Sequence, residues 1–469
     1  MSIPGLGQIP TQQAATSSTR VVSLKPAWEW RFQIPVGRSL GLKVLSGTAE
    51  KDGIELAPRS TYTLPGGTAS KILTWHGCEL EIEGRSDNGS DSVAEYATPA
   101  ANPANAHVNL HARLSELRAA AAREGREGPR VLITGHSGAG KTALTRTLTS
   151  YATRQGEQPL TVNTDPRDGM LSLPGTLSAA VFATVMDPEA RDGWGGTPTS
   201  GPSVVPVKLP LVYFYGRADA EEEPDFYKAL VSRLAGAVSG RLSEDVDVRS
   251  SGVLVDGTGL SEDNTVAMDL LAHVVDELSI NIVVVLGSTP LHAELGRRFA
   301  SERTSLGEPI QVVGLDQSDG VVERDESFAE HVREQIIKEY FFGDAKRTLS
   351  PQIQQVDFDS LIIYKVADEE AVELTKPDAA DSEEAHGPDM LVREEPSSLM
   401  QHWTLAVMHA ANKDPAETVR AASVMGFVYV SDVDEERRKV KVLAPIGGRL
   451  GDRPLVWGRW PEPYMNLLG

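Results

Sequence analysis

The period of apolar and polar positions changes along the chain, and each change marks a different kind of element. Between Val21 and about Glu95 the apolar residues come in short runs: Trp30-Arg31-Phe32-Gln33-Ile34, Leu42-Lys43-Val44-Leu45, Tyr62-Thr63-Leu64, Ile72-Leu73-Thr74-Trp75 and Leu80-Glu81-Ile82. Several alternate, and Gly, Pro and Asn separate them, which predicts a small antiparallel β-domain. A stretch rich in Ala, Asn and Pro, Ala97 to Ala106, then leads into Val108–Arg123, where leucines and alanines recur at helical spacing. Five further apolar runs follow: Arg130–Thr134, Leu160–Asn163, Gly252–Val255, Ile280–Leu286 and Ile310–Val313. Helix-compatible stretches, including Phe226–Val238 and Thr265–Leu278, separate several of them, as a parallel α/β sheet requires. Met186 to Pro206, dense in Gly, Pro, Ser and Thr, predicts a surface loop. After Gly343 short strands return at Leu361–Val366, Phe427–Ser431 and Lys439–Leu443. An acidic stretch from Asp368 to Glu395, predicted as a solvated loop, and an apolar-periodic segment near Leu399–Ala410 lie between the first two.

These patterns predict a disordered tail over 1–20, rich in Gln, Ser, Thr, Gly and Pro, then an N-terminal β-domain over 21–107. A central βα domain over 108–343 and a mixed α/β domain over 344–469 complete the division. The length of 469 residues fits, at roughly 100 to 200 residues per domain. The net charge of −21 repels phosphate backbones, so an extended nucleic-acid coat is excluded and any RNA contact is local. One cysteine, Cys78, allows no internal disulfide, and no Cys/His cluster has zinc spacing, which predicts a reducing compartment. The longest apolar run is far short of the ~20 residues that span a bilayer, and the N-terminus has no basic-then-apolar leader, which predicts a soluble intracellular protein.

The sharpest chemical signal is Gly135-His136-Ser137-Gly138-Ala139-Gly140-Lys141-Thr142, matching G-x-x-x-x-G-K-[ST] between a predicted strand and a predicted helix. Glycines let consecutive N–H groups face phosphate oxygens, and the helix beginning near Lys141 points its positive end at them. Lys141 would reach the β and γ phosphates of ATP, and the Thr142 hydroxyl would ligate Mg2+. Gly135, Gly138, Ala139, Gly140, Lys141, Thr142 and Ala143 are thus the candidate phosphate-binding residues. Asp165, ending the next apolar run, would face the ligand crevice at the C-terminal edge of a parallel strand, where it could hold Mg2+ or accept a proton from an attacking hydroxyl. Trp75-His76-Gly77-Cys78 sits among β-runs without an acid partner and reads as core packing.

Taken in order, these residues resemble the Clp-type subunit of the eukaryotic pre-mRNA cleavage and polyadenylation machinery, within the polyribonucleotide 5′-hydroxyl-kinase family. The resemblance rests on Gly47-Thr48-Ala49-Glu50, Glu55-Leu56, Thr74–Cys78, the glycine loop, Asp165 followed by Leu173-Pro174-Gly175-Thr176, Gly320-Val321-Val322-Glu323-Arg324, and Glu339-Tyr340-Phe341-Phe342-Gly343. It spans about residues 25 to 345 and thins beyond. The resemblance implies an N-terminal β-sandwich, a central P-loop NTPase-like parallel sheet, a C-terminal mixed α/β domain and bound ATP with Mg2+. It implies that Glu29 approaches the adenine end with the help of a lysine. Ala69 stands at that lysine position, so Lys71, two residues on and on the same strand face, is the substitute candidate. From the residues alone, the alternative is that Glu29 and Lys71 are ordinary surface charges.

Against the kinase-competent pattern that the resemblance implies, Gly138 replaces a loop Asp, Leu260 follows Gly259 where a Trp is expected, and Ala329 follows Phe328 where a second lid arginine is expected. Of the lid pair Arg324 remains, while Arg297, Arg298 and Arg303 lie near enough in sequence to offer a substitute cation. A phosphoryl-transfer transition state needs cationic clamping, and a terminal base without the Trp loses ~1 to 3 kcal/mol of stacking. The resemblance therefore implies a nuclear, ATP-binding scaffold subunit of the 3′-end cleavage and polyadenylation complex. Its partner would be the cleavage-factor subunit that binds the polymerase tail, together with other 3′-end processing subunits; RNA contact is weak or indirect, and no membrane is involved. The alternative is an active RNA 5′-hydroxyl kinase working through Lys141, Thr142, Asp165 and Arg324.

Overall fold

The structure, a computed structural model, describes residues 19–84, 91–190, 210–260, 264–320, 326–344, 346, 348–366, 391–445, 450–463 and 466–468. Those within Met1–Lys51 and Glu55–Tyr96 form one compact unit, and those within Asp52–Ile54 and Ala97–Gly469 a second.

The first unit is a β-sandwich. One sheet runs in the order Thr19–Leu24, Cys78–Glu83, Ser39–Gly47, Thr61–Pro65, each antiparallel to its neighbour. The other, five-stranded, runs Ile54–Leu56, Ala49–Lys51, Ala69–Leu73, Glu29–Gln33, Ser92–Ala94. Alternation decides which side chains go inward: along Ser39–Gly47, Leu40, Leu42 and Val44 are buried while the residues between them are not. They meet Trp30, Phe32, Ile34, Leu80 and Ile82 in one core, with the Trp30 and Phe32 rings stacked at 4.6 Å. Thr19 and Arg20, expected in the tail, instead pair with Glu83 and Ile82, because the strand anchored by Val22 and Leu24 on the core continues its ladder along Cys78–Glu83. The rest of the expected tail lies outside the described residues.

The second unit holds two seven-stranded sheets. The central one runs Leu211–Phe214, Thr176–Val181, Leu160–Asn163, Val253–Gly259, Arg130–Gly135, Ile282–Leu286, Gln311–Leu315. Its last five strands are mutually parallel and correspond to the five apolar runs of this region, taken in the spatial order second, third, first, fourth, fifth. In the inner strands continuous apolarity follows from burial on both faces, whereas the edge strand Gln311–Leu315 is only partly buried. Ile282, Val284 and Leu286 pack with Leu110, Leu114, Leu144 and Leu148 of helices Ala104–Glu124 and Lys141–Arg154. Val283 and Val285 pack on the opposite face with residues of helices Pro224–Glu244 and Thr265–Glu277. Thr176–Val181 and Leu211–Phe214 add an antiparallel edge. Of the loop expected over Met186–Pro206, Met186 is buried beside Met170 and Leu171, and 191–206 lie outside the described residues.

The other sheet is mixed, in the order Gln352–Asp357, Lys439–Ala444, Val424–Asp434, Thr404–Met408, Leu455–Trp457, Ile363–Val366, Leu391–Glu394. Leu391–Glu394, expected in the acidic loop, is a strand pairing with Ile363–Val366, anchored by buried Leu391. Helix Glu326–Phe342 covers this sheet: Ile337, Tyr340 and Phe341 share a core with Ala406, Phe427, Tyr429 and Val456, and the Phe427 N–H donates to the Tyr340 hydroxyl at 2.9 Å. Among the described residues no helix is long and apolar enough to cross a membrane.

Candidate nucleotide site

The glycine loop leaves the sheet from the middle one of its five parallel strands, Arg130–Gly135, whose neighbours are Val253–Gly259 and Ile282–Leu286. Such C-terminal strand edges are where open α/β sheets bind ligands. The local backbone demands glycine: a Cβ on Gly135 would stand 2.7 Å from the Leu286 carbonyl oxygen, and Gly140 has φ +95°. From Gly140 the helix Lys141–Arg154 starts, with its first N–H groups facing the loop. Ala139 is buried, whereas His136, Ser137 and Gly138 face solvent, as do Thr142 and Ala143 on the first helical turn. The largely buried Lys141 ammonium donates to the His136 carbonyl at 3.1 Å and so lies folded over the loop.

Two carboxylates border the loop. Asp256, 2% exposed, accepts from the Thr142 hydroxyl at 2.6 Å and from the Thr145 hydroxyl at 3.4 Å. Burial pushes its pKa up to about 7 against the Thr142 hydrogen bond and the Lys141 charge, and the charge of Asp165 adds to the rise. Asp165 is held in a turn: its N–H donates to Asn163 Oδ1 at 3.1 Å, and its Oδ1 accepts the Arg167 N–H at 3.1 Å. Burial raises it to about 6, against the pull of Lys141. Lys141, Thr142, Asp165 and Asp256 therefore form one electrostatic cluster.

Asp256 is the residue that sequence reasoning missed. It stands directly after the apolar run Gly252–Val255, and an acidic residue at the end of such a run is the signal that marks it. These groups fit Mg2+. The ion takes hard oxygen donors and keeps several waters and phosphate oxygens, so one hydroxyl and one or two carboxylates suffice. Among the described residues no group of three or more His, Cys, Asp and Glu is preassembled for a metal.

In the first unit, Glu29 is not a surface charge. It is fully buried on strand Glu29–Gln33, where the cross-strand Lys71 ammonium reaches it at 2.5 Å and its neighbour Arg31 donates from Nε at 2.7 Å. The Tyr96 hydroxyl lies 3.2 Å from the same carboxylate. Burial alone would raise the Glu29 pKa, but Lys71 and Arg31 hold it below the ordinary value. Lys71, picked as the substitute for the lysine missing at Ala69, is thus joined to Glu29.

Of the departures, Leu260 is 2% exposed inside the main core, its N–H donating to the Gly135 carbonyl at 3.0 Å and its carbonyl accepting from His136 Nδ1 at 2.9 Å. Ala329 lies on helix Glu326–Phe342, and Arg324 is outside the described residues. The substitute arginines do not serve the loop. Helix Thr289–Phe299 starts at the crevice edge and runs back about 16 Å, so Arg297 and Arg298 end at the far side, paired with Glu294 and Asp269. Arg303 caps the Gly307 carbonyl at 2.9 Å. In Trp75–Cys78 only Cys78 is core. Its thiol is pushed up to about 11 by burial, while exposed His76 lies 3.3 Å from Thr48 Oγ1.

Three family models cover most of the chain: the N-terminal β-sandwich domain of polyadenylation factor over residues 23–121, the mRNA cleavage and polyadenylation factor CLP1 P-loop over 135–343, and pre-mRNA cleavage complex II protein Clp1 over 349–462. The chain is 52% identical to the mRNA cleavage and polyadenylation factor CLP1 of Pyricularia oryzae and 48% identical to that of Chaetomium globosum, covering 100% of each chain in both pairs. Among solved structures, Clp1p from a wild-type Clp1p–Pcf11p complex superposes with a TM-score of 0.80 at 28% identity, over 94% of this chain and 98% of that one. A second, with the same TM-score and coverage, is described as giving the extended interface between Pcf11p and Clp1p and the structural basis for ATP loss in a glycine-to-arginine point mutant. The chain belongs to the Clp1 family of mRNA cleavage and polyadenylation factors.

Proposed function

We propose that the protein is an ATP-binding scaffold subunit of the nuclear pre-mRNA 3′-end cleavage and polyadenylation machinery that does not transfer the phosphoryl group. The observation that carries this reading is a complete phosphate loop whose helix presents Thr142 to a buried Asp256, beside a Leu260 that is sunk in the core. The loop N–H groups and Lys141 would take the phosphates, and Thr142 with Asp256 and Asp165 would hold Mg2+. When bound, that ion neutralises phosphate charge. Glu29 and Lys71 are assigned to the adenine, and Arg324 is kept only for the kinase alternative. A buried Leu260 offers no face for a terminal RNA base, which favours the scaffold over the kinase. The three-part division at 107/108 and 343/344 belongs to the same proposal.

The partner assigned is the polymerase-tail-binding cleavage-factor subunit, by analogy with the Pcf11p bound to Clp1p in the superposable structures. We place its contact on the central sheet and its shared core with the C-terminal sheet, where one linear segment can add a strand or lay an apolar helix in a groove. Two assays test the reading. Incubation with γ-labelled ATP and a 5′-hydroxyl oligoribonucleotide is expected to label no RNA above a Lys141→Ala control, and strong Lys141-dependent labelling would establish the kinase instead. Isothermal titration with the partner's segment is expected to show binding at micromolar concentration. Absent binding, with RNA bound well at physiological salt, overturns the scaffold.

A further inference from the structure

The turn that carries Asp165 is tied to a residue almost three hundred positions away. The Trp460 indole N–H donates to the Arg167 carbonyl at 2.9 Å. The same residue, Arg167, donates its backbone N–H to Asp165 Oδ1 at 3.1 Å. One residue thus links the indole to the carboxylate: its carbonyl is held from one side, and its amide orients Asp165 on the other.

Trp460 is itself fixed from three directions. Its backbone N–H donates to the Gly216 carbonyl at 3.1 Å, and the Arg459 backbone N–H donates to the same oxygen at 2.8 Å. Its carbonyl packs so closely on Gly175 that a Cβ there would stand 2.7 Å from it; Gly175 closes the Asp165 turn by donating to the Pro166 carbonyl at 2.7 Å. The guanidinium of Arg333, which is 2% exposed, lies 4.8 Å from the indole centroid and pairs with Asp168 at 3.5 Å and Glu326 at 2.5 Å. Arg333 belongs to helix Glu326–Phe342, so the indole sits where that helix, the Asp165 turn and the C-terminal segment meet.

Neither the glycine loop nor the family's named motifs use Trp460. We propose that Trp460 is a positioning residue for the nucleotide site: through the backbone of Arg167 it sets the orientation of the Asp165 carboxylate, and hence how much Mg2+ adds to ATP affinity. This inference rests on the ATP-binding reading above. Phosphate contacts by the loop are separate from this tie, so the metal-dependent part of binding is the part it governs.

The test measures ATP affinity of the full chain twice, in EDTA and with Mg2+, and takes the ratio. Trp460→Phe keeps an aromatic ring at this position and removes the N–H donor together with part of the ring volume. It is expected to lower the Mg2+ gain at least threefold while leaving affinity in EDTA within twofold of wild type. Asp165→Asn is expected to lower the same ratio, and the double variant to be no worse than Asp165→Asn alone, since residues acting through one another are non-additive. An unchanged ratio in Trp460→Phe, an equal loss in EDTA, or additive losses in the double variant would overturn the proposal. A wild-type chain that binds no ATP refutes the nucleotide reading instead, and the proposal falls with it. Should Trp460→Phe not fold, amide exchange in the wild-type chain decides: Arg167 and Asp168 are expected to gain protection with Mg2+-ATP over ATP in EDTA, and equal protection would refute the tie.

Discussion

Replacing Thr142 by alanine separates what its hydroxyl does for the fold from what it does for the nucleotide. Asp256 is buried and receives one short hydrogen bond, from Thr142 at 2.6 Å, and one long one, from Thr145 at 3.4 Å. Removing the short bond leaves a desolvated carboxylate almost unsatisfied, which costs about 1–3 kcal/mol. Thr142 lies on an exposed turn, so no cavity forms to add to that cost. The nucleotide effect comes on top: a ligand at 100 times its dissociation constant stabilises by about 2.7 kcal/mol, and a tenfold weaker ligand at the same concentration by about 1.4 kcal/mol. Urea denaturation in EDTA and again in Mg2+-ATP reads the two separately. Thr142→Ala is expected to be less stable in both, with a smaller gain from Mg2+-ATP, and Thr142→Ser to recover most of each loss. Stability in EDTA within 0.5 kcal/mol of wild type, together with an undiminished Mg2+-ATP gain, would refute the role given to this hydroxyl.

Glu29→Gln removes the charge between Lys71 and Arg31 and is expected to cost the first unit about 1–3 kcal/mol, because both cations retain some solvent contact. Since the folded pKa of Glu29 lies below its ordinary 4.5, its contribution is complete above that pH and lost as pH falls further; the gap between wild type and variant should therefore close in acid, and a gap unchanged down to pH 3 would contradict the pairing. Glu223 bridges Arg217 at 2.8 Å and Arg420, whose guanidinium lies 3.7 Å from the Phe226 ring centroid, with all three charged side chains buried. Glu223→Gln leaves two buried cations facing each other, at about 3–5 kcal/mol, whereas Arg420→Met leaves the Arg217 pair intact and should cost less in urea denaturation; the reverse order would contradict the triad.

Much of the central sheet was legible because burial on both faces forces unbroken apolar runs, as in Ile282–Leu286. The antiparallel edge was not. Thr176–Val181 is centred on the small residues Ser178, Ala179 and Ala180, and Leu211–Phe214 comes shortly after a Gly, Pro and Ser-rich stretch. In the C-terminal sheet, Gln352–Asp357 and Leu391–Glu394 are edge strands with largely solvent-exposed faces, so their polarity resembles that of a loop. The glycine loop announced itself because phosphate binding constrains the backbone locally. The burial of Glu29 depends on a cross-strand lysine 42 positions away, that of Asp256 on hydroxyls of helix Lys141–Arg154, and the Trp460 tie spans 293 positions. No periodicity encodes such contacts.

The central claim is that the chain holds ATP rather than consuming it, and the contents of the purified protein test that most directly. Protein prepared without added nucleotide, precipitated with acid and analysed by ion-exchange chromatography of the supernatant, is predicted to release intact ATP in close to stoichiometric amount, and the Lys141→Ala, Thr142→Ala double variant to release none. Finding no nucleotide in the wild-type supernatant, together with no rise in melting temperature when ATP is added, would contradict the account.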